Sequence, residues 1–124
     1  SKLISPSKKS IQGIWAELLL IDMSSNVDYM IKAWHVNPSD LFDFNDGKSK
    51  LEVKSTNSSE RIHKFYLNQI RPNQRARLLI GSVKVLESGL GTSIYDLIKY
   101  IETRVKDMNC LEKLHEILFE TRVI

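Results

Sequence analysis

The chain has 124 residues, 42% of them apolar and 27% charged, with 18 Lys and Arg against 15 Asp and Glu for a formal charge of +3. That length suits a single domain spanning 1–124 with a real core, and no apolar run approaches the roughly 20 residues that cross a membrane. A single cysteine, Cys110, excludes an internal disulfide and fits a reducing cytoplasm, while the mild positive charge permits a polyanionic partner without requiring one.

Residues 1–10 hold Lys2, Lys8, Lys9, Pro6 and four serines, and read as a lead-in with a helix start at Ser7 or Ser10. The helix that follows, to about Asp22, is apolar on nearly every side through Ile11, Ile14, Trp15, Leu18, Leu19, Leu20 and Ile21. Such a helix is largely buried. Glu17 is its only ionised group between Gln12 and Asp22, and a buried carboxylate needs a cation or donors to meet it. A metal, Lys54, or an edge position open to water would each meet that need. Asn26 can cap a second, short helix, because Val27, Met30, Ile31 and Trp34 recur at i, i+3, i+4 and i+7.

Residues 41–55 form two alternating segments around an Asn45-Asp46-Gly47 turn. Side chains in a strand alternate between faces, so Phe42 and Phe44 share one face and Leu51 and Val53 share one on the second segment. The two apolar faces coincide when the loop holds an even number of residues, two or four, or when a bulge restores that parity. Asp43, Glu52 and Lys54 then gather on one face. Two close carboxylates repel unless a cation lies between them or one takes up a proton. A hard cation such as magnesium uses one or two carboxylates with water and substrate phosphate, and a neighbouring lysine can orient or deprotonate a bound water. Acid, acid, x, lysine thus fits a phosphodiester-cleaving centre, and it equally fits a solvated strand face.

Residues 55–59 are a polar run that suits either phosphate contacts or a plain loop. Residues 61–66 alternate as a third strand, and Gln69 stands near Arg71-Pro72. The near-continuous apolar run within residues 74–86 predicts a central strand covered on both faces. Gly89 and Gly91 mark a turn, and Ser93 with Asp96 forms a capping-box pattern opening a helix to about Lys106. Asn109 is the expected cap of a last helix facing inward through Leu111, Leu114, Ile117 and Leu118. The basic residues Arg61, Lys64, Arg71, Arg75 and Arg77 fit either a rim for DNA or a solvated surface. His35, His63 and His115 match no zinc spacing and read as ordinary histidines.

Asp43, Glu52-Val53-Lys54 and a preceding helix with Glu17 together resemble the PD-(D/E)xK nuclease superfamily. More narrowly, Gly13-Ile14-Trp15-Ala16-Glu17-Leu18-Leu19, Ala33-Trp34-His35, Phe42-Asp43-Phe44 and Leu51-Glu52-Val53-Lys54-Ser55-Thr56 resemble a bacterial group of PD-(D/E)xK proteins associated with restriction-like defence clusters. The likeness covers roughly residues 11–100, and Phe42 stands where the superfamily's naming proline would be. It implies an α/β restriction-endonuclease-like core, a small mixed β-sheet flanked by helices. It further implies a Mg²⁺-dependent DNA endonuclease, with Mn²⁺ able to substitute. Asp43 and Glu52 would bind the ion with the Val53 carbonyl and Glu17, Lys54 would position the attacking water, and Gln69 would support either metal or phosphate. Members of that group are longer, so a piece of a longer protein is expected, with a homodimer or partner subunits of a defence complex as its setting. A non-catalytic module binding nucleic acid or protein, and a purely structural interaction domain, are the rival readings.

Overall fold

The structure, a computed structural model, describes residues 10–37, 40–56, 77–84 and 91–124. The expected strand at 61–66, Gln69, Gly89, the polar residues 57–59, His63 and the basic residues Arg61, Lys64, Arg71 and Arg75 lie outside them. Along the chain come α1 (Ile11–Met23), α2 (Val27–Ala33), β1 (Phe44–Asn45), β2 (Ser49–Thr56), β3 (Arg77–Lys84), α3 (Ile94–Arg104) and α4 (Met108–Glu120). The fold is a small mixed α/β core, as expected. No helix among the described residues is long and apolar enough to cross a membrane.

Ser10 is the cap of α1, its hydroxyl accepting the Gly13 N–H at 3.0 Å. The helix has apolar residues on several sides because it has neighbours on several sides: it packs against both α3 and β2. Ile14, Leu18 and Ile21 are fully buried and join Ile31, Trp34, Phe44, Leu97, Ile101, Leu114 and Leu118 in one core. Truncating any of these aliphatic residues to Ala costs about 2–5 kcal/mol. Asn26 caps α2 by accepting the Tyr29 N–H at 3.0 Å, and Ser93 and Asp96 form the reciprocal capping box of α3.

Two helix ends differ from expectation for one reason. The Asp28 carboxylate accepts the N–H groups of Lys106 and Asp107. Helix α3 therefore stops at Arg104, short of Lys106. Asp107 then caps α4 by accepting the Asn109 N–H at 2.9 Å, so Asn109 lies inside the first turn rather than at the cap.

β1 and β2 run antiparallel with Phe44 opposite Leu51 and Asn45 opposite Lys50. Four residues, 46–49, separate the paired Asn45 and Lys50, and this even number puts Phe44 and Leu51 on a common face. Gly47 sits at φ +92°, a left-handed conformation that residues with a Cβ rarely adopt. The Asp46 carboxylate accepts the N–H groups of Lys48 and Ser49 and the Tyr29 hydroxyl, which ties the turn to α2.

β2 and β3 are parallel, with Leu51 opposite Leu79, Glu52 opposite Ile80 and Val53 opposite Gly81. A Cβ at Gly81 would lie 3.2 Å from Leu20 Cδ1, so its absence is what lets α1 lie close on the sheet. The apolar run in residues 74–86 does form a strand, β3, but its cover is incomplete at Leu79. Among the described residues β2 is the middle strand, flanked by β1 and β3, and Leu79 is 45% exposed. β2 also extends through Ser55 and Thr56, where a polar loop was one of the readings.

Candidate active site

The hairpin delivers Asp43 and Glu52 to the same place. Ladder pairing ends at Phe44 and Leu51, and past that point the Asp43 side chain takes over, Oδ2 accepting the Val53 N–H at 2.8 Å. The Asp43 carboxyl lies close enough to Glu52 to act on it through both hydrogen bonding and charge. Lys54 Nζ lies 3.4 Å from Glu52 Oε2, with Glu52 almost wholly buried and Lys54 about a quarter exposed. The three residues predicted from strand parity therefore meet.

Glu17 approaches from α1. It is 3% exposed, and its Oε1 accepts the indole N–H of Trp34 at 2.9 Å. Its need for a buried partner is thus met in part by a neutral donor, a solution that helical periodicity alone does not suggest. Glu17, Asp43, Glu52, Val53 and Lys54 line one open cavity of about 270 Å³, together with Ser10, Gly13, Asp40 and Leu41. Ser10, Gly13 and Glu17 share a helix face by their spacing, a signal that marks Ser10 and Gly13 as cavity wall once Glu17 is singled out. Asp40 and Leu41 carried no such signal.

The electrostatics follow from this packing. Burial, followed by the hydrogen bond and negative charge of Asp43, pushes the Glu52 carboxyl up to about 8 against the opposing pull of Lys54. Near neutral pH Glu52 therefore favours its protonated form, one of the two ways by which adjacent carboxylates relieve their repulsion. A divalent cation is the other. The donor set is all oxygen and suits a hard ion such as magnesium, which commonly takes one or two protein carboxylates and fills its remaining positions with water and phosphate. Among the described residues no group of three or more His, Cys, Asp or Glu is arranged to hold an ion unaided. Asp43, Glu52 and Glu17 all lie on the wall of the same cavity.

The described histidines have structural surroundings. His35 lies 3.6 Å from Asp40 and near the Asn45 carbonyl, and His115 pairs with Glu102 at 2.6 Å. A larger cavity of about 640 Å³ lies elsewhere, between the start of α2 and the end of α3. Its polar groups are engaged in holding elements together: Arg104 binds the Asp22 and Ser24 carbonyls, and Asp28 binds the α3–α4 link.

No curated protein and no solved structure matches the chain. One family model does, and it covers residues 1–124, the whole chain; its description is "Putative PD-(D/E)XK family member". With Asp43 and the Glu52-Val53-Lys54 run converging on one cavity, the chain belongs to this PD-(D/E)XK family.

Proposed function

We propose that the protein is a divalent-metal-dependent nuclease that hydrolyses phosphodiester bonds of DNA as an endonuclease in a restriction or phage-defence system. The observation that carries this reading is the convergence of the Asp43 and Glu52 carboxyls and the Lys54 ammonium on the wall of one open cavity. Nuclease-like chemistry is also what the family implies.

In this reading Asp43 and Glu52 hold Mg²⁺, or Mn²⁺ in its place, with the Val53 carbonyl and Glu17 assisting. The ion would supply charge for the scissile phosphate and acidify the attacking water. Asp43 is oriented by the Val53 N–H, which its Oδ2 accepts. Lys54 holds the attacking water and faces the phosphate charge. Gln69, outside the described residues, is assigned a supporting contact to metal or phosphate. A double-strand cut from one such site per chain needs a homodimer or partner subunits.

The test is nicking of supercoiled plasmid by the full-length protein with Mg²⁺ or Mn²⁺. Cleavage that requires the ion and falls by about 10²-fold or more in Glu52→Ala and Lys54→Ala supports the assignment. Nicking that persists in both variants overturns it. DNA retention without any nicking by the unsubstituted protein identifies a binding module instead.

A further inference from the structure

Trp34 touches both halves of the proposed centre. Its indole N–H donates to the buried Glu17 carboxylate at 2.9 Å, and its backbone forms an isolated antiparallel bridge with Phe44, the residue after Asp43. Its ring stacks on that of Phe44 with centroids 6.3 Å apart and planes within 12°. The next residue, His35, donates its backbone N–H to the Asp43 carbonyl at 2.7 Å. Two consecutive residues thus clamp the strand that carries one acid and hold, by a side chain, the helix that carries another. Trp34 is 1% exposed and Glu17 3%, so the bond lies away from bulk water, where a hydrogen bond is stronger and its loss is felt more.

Aromatic bulk explains the stacking but not the N–H. A phenylalanine would fill most of the same space and leave the Glu17 oxygen without that donor. We propose that Trp34 is a positioning residue: its indole N–H fixes the Glu17 carboxylate on the wall of the cavity that Asp43 and Glu52 also line, so that Glu17 assists a divalent cation held by that pair. The inference rests on the nuclease reading and adds to it the group that sets the helix acid relative to the strand acids. Partners that orient ligand carboxylates and imidazoles commonly change metal affinity by about 10–100-fold when removed.

The experiment combines calorimetry of Mg²⁺ and Mn²⁺ binding with ¹H–¹⁵N spectra of the Trp15 and Trp34 indole groups, in the full-length protein. Trp15 donates to the Thr92 carbonyl at 2.9 Å and serves as the internal control. The Trp34 cross-peak is expected to move on Mg²⁺ addition, saturating with the calorimetric isotherm, while the Trp15 peak stays. Glu17→Gln, which keeps an oxygen acceptor for the indole, removes that movement. Trp34→Phe weakens binding about tenfold or more, and adding it to Glu17→Gln costs no further affinity. Unchanged affinity in Trp34→Phe, or losses that simply add in the double variant, overturns the positioning role and leaves the nuclease reading standing. Should Trp34→Phe fail to fold, the spectra decide: calorimetric binding with a stationary Trp34 peak overturns the role. If the unsubstituted protein binds neither ion, both the role and the nuclease reading fall.

Discussion

Asp43 is joined to β2 through its side chain, Oδ2 accepting the Val53 N–H at 2.8 Å. The bond does two things at once. It satisfies a backbone donor two residues past the last ladder pair, and it fixes a carboxylate between the positions of Glu52 and Lys54. Structure and chemistry can therefore be separated at this residue. Asp43→Asn keeps an acceptor for Val53 and removes the charge; Asp43→Ala removes both. Asp43→Ala is expected to lose about 1–2 kcal/mol of stability, while Asp43→Asn stays within roughly 0.5 kcal/mol of the parent. Both lose nicking activity by about 10²-fold or more. Urea unfolding alongside plasmid nicking checks the pattern, and an active Asp43→Asn protein would remove Asp43 from the cation site.

Glu52 makes the metal-free protein sensitive to alkali. Its folded pKa is raised to about 8, first by burial and then by Asp43, whereas an unfolded glutamate titrates near 4.3. A raised carboxyl favours the protonated folded form, so stability is full below the unfolded value and falls as pH rises from there to about 8. Without divalent ions the melting temperature should drop across that window. Glu52→Gln, which cannot ionise, should remove most of the drop and melt about 5–10 °C above the parent at pH 8.5, equivalent to ~1–2 kcal/mol. Adding Mg²⁺ should raise the parent's melting temperature more at pH 8.5 than at pH 5 and leave Glu52→Gln nearly unmoved. Thermal melts in EDTA and in Mg²⁺ at the two pH values decide this.

Parity explains why so much of the site could be read in advance. Strand alternation leaves only two choices for the face of residue 43 relative to 52, and burial of Phe44 selects one. Ser10, Asn26 and Ser93 were readable as caps because their chemistry is local. The Trp34 bond to Glu17 spans 17 residues, and no local pattern encodes it. The end of α3 was misplaced for the same reason: the donors that stop it bond to Asp28, 78 residues earlier in the chain. Long-range polar contacts leave no periodicity, while apolar faces and caps do.

That long-range bond gives a third prediction. Burial is the largest single influence on Asp28 and would raise its pKa, but hydrogen bonds from the Asp107 and Lys106 N–H groups, with smaller ones from the Cys110 side chain and its own backbone, together hold the carboxyl below its ordinary range. A depressed carboxylate contributes stability that is present above the unfolded value near 3.9 and is lost as pH falls through the folded one. Asp28→Ala should cost about 1–3 kcal/mol at pH 7, since it leaves two backbone donors without their charged acceptor. The deficit should shrink in acid, as the parent loses the same interaction. Because Asp28 lies in α2, outside the proposed centre, Mg²⁺-dependent nicking by the folded fraction should be unchanged. Unfolding curves at pH 7 and pH 3, with nicking scored per folded molecule, test both statements.

Lys54 separates binding of the cation from its use. The ammonium lies 3.4 Å from Glu52 Oε2 and competes there with any incoming cation. Replacing it by Met keeps most of the stem along the cavity wall and removes the charge. The remaining carboxyl pair then has lost its nearby positive partner, so a dication should bind more tightly, by roughly tenfold if the ammonium opposes it by about 1.4 kcal/mol. Cleavage should nonetheless fall by about 10²-fold or more, because nothing holds the attacking water. A residue that merely supported the strand would lower affinity and rate together. Tighter Mg²⁺ binding by calorimetry with lost nicking would place Lys54 at the chemical step; weaker binding in step with lost nicking would place it in the framework of the hairpin instead.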